Sequence, residues 1–149
     1  MIIAEQIGDG GRSGRRSPRP VRTIPLVGGV AAGALADAHR CLAEAMRAGE
    51  PADRFATAHR AALRAAAALL AALPRPTVRR VRTASVWDQL DRVAPEFAGW
   101  TAFFAAGSSK RQAAEAGITR LITAADADDQ IRRAAEFVEL VGDRLQAAA

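Results

Sequence analysis

The chain of 149 residues has no tyrosine, one cysteine and two histidines, and 20 of its 21 basic residues are arginine, Lys110 being the sole lysine. The single thiol, Cys41, cannot close an intramolecular disulfide, and no Cys/His cluster has zinc-ligand spacing. A reducing, cytoplasmic setting is therefore expected, with no metal and no other cofactor. Aromatic residues make up only 5% and β-branched residues are sparse, which disfavours a sheet protein. No apolar run approaches the ~20 residues that cross a bilayer, so no membrane partner is expected. Arg15-Arg16 ahead of the run Ile24–Ala36 imitates a secretory leader, but Pro25 and three glycines interrupt that run. It also passes in phase into an amphipathic helix, which cleavage near Asp37 would truncate, so export is the weaker reading.

What the chain has is alanine, about a quarter of all residues, within a composition that is 50% hydrophobic and 25% charged. That is globular composition with strong helix propensity, sized for one domain. The formal net charge of +5 is unevenly placed. Residues 1–27 carry a net +3 through Arg12, Arg15, Arg16, Arg19 and Arg22, and Pro74–Thr83 carries +4 through Arg75, Arg79, Arg80 and Arg82, leaving −2 for the remainder. Basicity is thus a property of a tail and a linker. Residues 1–28 read as a disordered Arg/Gly/Pro-rich tail, in part even a start-site artefact, ahead of a helical domain over 29–149. The run Gly8–Gly14 lacks the Lys-Ser/Thr of a phosphate loop.

Apolar spacing predicts an all-α, up-and-down bundle of four to five helices. The first helix is expected over Val30–Ala48, with Ala31, Leu35, Ala38, Leu42, Ala45 and Met46 inward. Gly49 ends it, and Pro51 opens a second that runs to Leu73 with Phe55, His59, Ala62, Ala66, Leu69 or Leu70, and Leu73 on one face. Ser85, with Asp88 as a capping-box partner, starts a third whose stripe is Val86, Leu90, Val93, Phe97, Trp100 and Phe104, kinked or split at Pro95. Gly107 is expected to break the pattern before a short helix over Ser109–Ala116 closed by Gly117. Thr123 and Asp126 cap the last helix, with Ala127, Ile131, Ala134, Val138, Val141 and Leu145 inward.

The segments Asp53–Leu70, Ser85–Arg111 and Thr123–Val141, with their spaced alanine, leucine and aromatic residues, resemble HEPN domains, and most of all a small actinobacterial branch of that superfamily. The resemblance covers roughly residues 29–146. It implies a helical bundle that usually dimerises, and in many members a metal-independent endoribonuclease built on an Arg followed a few positions later by a His, paired across the dimer. Arg54 and His59 have that spacing, as a base near neutral pKa and a cation for the phosphate require. They lie one helix earlier than the motif normally does, and the region Ser85–Ala106 has Arg92 but no histidine. Five helical residues also turn Arg54 and His59 about 140° apart. His39 and His59 fall at similar heights across the first hairpin, where they read best as packed residues.

Two other candidates concern anions. Ser109, Lys110 and Arg111 form a possible phosphate or nucleotide contact if Ser109 caps a helix start. The basic linker Arg75, Arg79, Arg80 and Arg82 offers salt-sensitive phosphate contacts, without interleaved aromatics for base stacking. The leading expectation is a non-enzymatic helical interaction module, a homodimer that binds a protein or RNA partner. The alternative is a metal-independent, toxin-like endoribonuclease using Arg54 and His59.

Overall fold

The computed structural model describes residues 26–74 and 84–148. Among them are five α-helices and no strand: α1 (Leu26–Arg47), α2 (Pro51–Ala72), α3 (Val86–Val93), α4 (Ala98–Glu115) and α5 (Ala124–Ala147), with a 3-10 turn over Pro95–Phe97 between α3 and α4. The tail, with its Gly8–Gly14 run, and the linker arginines Arg75, Arg79, Arg80 and Arg82 lie outside the described residues.

Each boundary has a local cause. Pro51 occupies the first turn of α2, where its missing N–H costs no helical hydrogen bond. At α3 the Asp88 N–H donates to Ser85 Oγ over 3.1 Å while the Ser85 N–H donates to the Asp88 carboxylate over 3.3 Å. The same reciprocal box starts α5, from Asp126 N–H to Thr123 Oγ1 at 3.0 Å and from Thr123 N–H to the Asp126 carboxylate at 3.1 Å. Pro95 splits the third helical segment, since it cannot donate into the ladder. The Thr101 hydroxyl, turned to the Asp91 carboxylate and the Ala98 carbonyl, ties the two pieces together. Gly117 ends the α4 region with φ of +83°, a conformation only glycine adopts without strain.

α2 is the hub. Ala58, Ala61, Ala62, Ala65, Ala66 and Ala68 are all fully buried, and α1, α3, α4 and α5 each pack on this helix. Side chains of one carbon let neighbouring backbones come close on several sides at once. Larger residues fill the remaining space beyond the alanines. Phe104 and Phe137 are fully buried with Trp87 beside them, and the Trp87 ring stacks on Phe104 at 5.2 Å. Phe137 touches Trp87, Phe97, Trp100 and Phe104, so α5 supplies the residue on which the aromatics of α3 and α4 converge.

Three expectations are corrected here. Met46 does not face inward and is 61% exposed, because α1 ends one residue later and the inward stripe stops at Ala45. Trp87, rather than Val86, is the buried residue of the first turn of α3. Gly107 does not break a helix, since α4 runs unbroken through it. A methyl group there would meet His59 Nδ1 and Phe55 Cζ at 3.6 Å, so this glycine is a shallow notch against α2.

Two substitutions test the account. Leu69→Ala, at a fully buried position on the hub, is expected to cost about 2–5 kcal/mol. Thr123→Ala, which removes the α5 cap, is expected to cost about 1 kcal/mol. Both are read from the urea midpoint at unchanged slope.

Candidate functional site

α4 and α5 both lean on α2 and meet each other through side chains, Trp100 and Phe104 against Phe137, and beside these contacts lies a cleft of about 190 Å³. Phe55 of α2 and Gly107 form its floor, Phe103 and Lys110 its α4 wall, and Asp126, Asp129 and Gln130 its α5 wall. Side chains bridge it at both ends. Lys110 Nζ lies 3.6 Å from the Asp126 carboxylate, and the Arg133 guanidinium sits 5.0 Å above the Phe103 ring while its Nε is 4.0 Å from Asp129. The Asp126 carboxyl is held below the usual carboxylate range, first by the Thr123 N–H that it accepts and also by Lys110.

Beneath this cleft lies His59, with no exposed surface. Gln130, itself buried, reaches it across the interface, Nε2 to His59 Nδ1 at 3.1 Å. With the amide nitrogen donating, the ring is the Nε2–H tautomer, and that buried nitrogen has no partner among the described residues. Phe55 stacks near the imidazole, and Trp87 and Phe104 meet it edge-on at 5.9 and 6.0 Å. Burial in this apolar cage, reinforced by the positive charge of Arg111, lowers the His59 pKa from 6.5 to about 4. The ring is neutral at physiological pH and screened from solvent.

Arg54 and His59 do not converge on one exposed position. Arg54, half-buried in the second turn of α2, pairs with Asp128 of α5 at 2.7 Å, while His59 turns into the core. His39 is exposed on α1 and shares no surface with His59, which faces α3, α4 and α5. Ser109, Lys110 and Arg111 stand in the interior of α4, where the backbone N–H groups are engaged in the helix, so Ser109 caps nothing and the anion cradle expected there does not form. Lys110 faces Asp126, and Arg111 pairs with Glu115 at 2.9 Å while its buried Nε has no partner among the described residues. No three of His, Cys, Asp and Glu come together as a metal site among the described residues.

Gln130 and Phe137 are the site and core residues that sequence reasoning missed. A signal for both was present, because they continue the Ala127–Ala134–Val141 stripe at three- and four-residue steps. A polar glutamine on that stripe called for a buried partner, and His59 was the unpaired polar residue on the facing helix.

The architecture is an all-α bundle whose central helix buries its one histidine against three others, α3, α4 and α5. The chain belongs to the SAV_6107-like HEPN family, whose model matches residues 45–142, from the end of α1 nearly to the end of α5. No curated protein and no solved structure matches the chain. No helix among the described residues is long and apolar enough to cross a membrane.

The His59 environment predicts a pH dependence. The folded ring binds a proton less well than the unfolded one, so the histidine contribution is whole above about pH 6.5 and is lost as pH falls toward about 4. The loss amounts to at most about 3 kcal/mol. Urea midpoints measured at pH 7 and pH 4.5 should show this slope, and His59→Gln, which cannot protonate, should show less of it.

Proposed function

We propose that the protein is a HEPN interaction module without catalytic activity, which works in the cytoplasm as a homodimer and binds a protein or RNA partner. The burial of His59 carries this reading. General acid–base work needs a group near neutral pKa within reach of the substrate proton. Here the imidazole is lowered to about 4, hydrogen-bonded to Gln130 and enclosed by aromatic rings, while Arg54 is engaged with Asp128. Both members of the Arg–His spacing hold helices together.

The charge distribution favours protein over RNA on the folded face. The described residues carry a net −2, and Arg54, Lys110, Arg111, Arg132, Arg133 and Arg144 each lie beside a carboxylate. RNA contact belongs, in this reading, to the arginine segments of the tail and linker, with affinity falling steeply as salt rises.

Incubating the full chain with structured RNAs in EDTA is expected to give no cleavage. Cleavage that persists through purification and vanishes in Arg54→Ala, a rim position whose loss leaves the core intact, would establish the ribonuclease instead.

A further inference from the structure

We propose that the cleft between α4 and α5 binds a single uncharged ring bearing an N–H or O–H donor. Gln130 supplies the acceptor, and the notch at Gly107 supplies the room. The site lies within one chain, so it stands whether the protein is a monomer or a dimer.

Gly107 is a glycine that the fold does not require. It sits in the interior of α4, where alanine is the better helix former. Its backbone is ordinary helix, since Gly117 alone has a positive φ among the described residues. A methyl group at Gly107 would meet Phe55 Cζ and His59 Nδ1 at 3.6 Å, ordinary van der Waals contact, so close packing does not demand glycine either. What the absent methyl leaves is space beside Phe55, and both residues line the cleft.

The acceptor is independent of that notch. Gln130 lines the same cleft although the residue is only 2% exposed. Its Nε2 is engaged with His59, and its Oε1 accepts no hydrogen bond among the described residues. The nitrogens His59 Nε2 and Arg111 Nε are sealed from solvent without a partner there, and Gln130 Oε1 is not among such sealed atoms. It therefore reaches open space, and the space its side chain borders is the cleft. A buried amide fixed by His59, with an acceptor left over, is one half of a preorganised hydrogen bond.

Size and charge select the occupant. An apolar cavity of about 150 Å³ takes up benzene, and pockets for drug-sized molecules run to about 300–1,000 Å³. At about 190 Å³ the cleft holds one ring and not a nucleotide. Phe55, Phe103 and Ala106 give that ring apolar surface to lie against. The charges of the walls are already matched, Lys110 with Asp126 and Asp129 with Arg132 and Arg133, so neither a cation nor an anion finds an unpaired counter-charge. A neutral ring with a donor disturbs none of these pairs and satisfies the one group left over. Indole and phenol rings have this chemistry, whether free or carried by a tryptophan or tyrosine of a partner protein.

Indole titrated into the isotope-labelled full chain tests the site by nuclear magnetic resonance. It is expected to shift the Gln130 side-chain amide and the Gly107 amide together, and to saturate. Indene, the same ring system without the N–H, should bind about tenfold more weakly, because it leaves the Gln130 oxygen unpaired. Gly107→Ala should weaken indole binding about tenfold or more while keeping the urea midpoint at or above that of the wild type. Ala106→Leu, at an exposed position on the α4 wall, should block the ring in the same way without touching the core. N-Acetyltryptophanamide separates the sources: binding like that of indole assigns the site to a partner's side chain, and its exclusion assigns the site to a free heterocycle. Shifts scattered over the surface, equal affinities for indole and indene, or indole binding that survives either substitution would overturn the proposal. So would a destabilised Gly107→Ala variant, since the glycine would then serve packing.

Discussion

Along α2 the fully buried alanines between Ala58 and Ala68 allow four other helices to approach one backbone, and every later feature follows from that closeness. Because the hub offers so little side-chain volume, the bulk of the core must come from its partners. Trp87, Phe104 and Phe137 supply it, from three different helices. The imidazole of His59 is the one large polar group that the hub contributes to this layer, and it is enclosed because the aromatics it meets are fixed by their own contacts. A histidine in that position is a packing element first, with Gln130 present to satisfy the nitrogen that the packing would otherwise orphan.

The N-terminal turn of α5 shows a second use of polar chemistry. Asp126, Asp128 and Asp129 crowd into it, a pattern that suggests a ligand site on charge alone. Each is instead matched by a cation, from Lys110 on α4, Arg54 on α2 and Arg132 and Arg133 on α5 itself. Carboxylates also suit the positive end of a helix. The cluster therefore joins the start of α5 to both neighbours, across a cleft that helix packing alone leaves open.

Much of the fold was legible in the sequence because its punctuation is strong. Pro51, Ser85 with Asp88, Pro95 and Thr123 with Asp126 each act through local chemistry that needs no knowledge of the rest of the chain. Gly107 was misread for the opposite reason: an isolated glycine breaks a helix or notches it according to what packs alongside, and Phe55 and His59 are distant in sequence. The candidate site was less legible. The Arg54–His59 spacing is visible in the letters, but its chemistry depends on which way each side chain turns and on what encloses it. Burial by Trp87 and Phe104, the bond to Gln130 and the charge of Arg111 all arrive through tertiary contacts. Ser109 failed as a cap by the same route, once α4 ran on through Gly107.

The missing tyrosine has an optical counterpart in the placement of the tryptophans. Trp87 and Trp100 both lie against Phe137, at 6.2 and 5.9 Å, on the α3–α4–α5 side of the hub. Nearly all near-ultraviolet absorbance and emission therefore originate at that one junction, while the α1–α2 hairpin is dark beyond the weak signal of Phe55. A fluorescence-detected transition follows the parting of α5 from α3 and α4, and a separate release of α1 would be seen only by far-ultraviolet dichroism. Disagreement between the two signals would thus date the departure of α1 from the hub without any label being introduced.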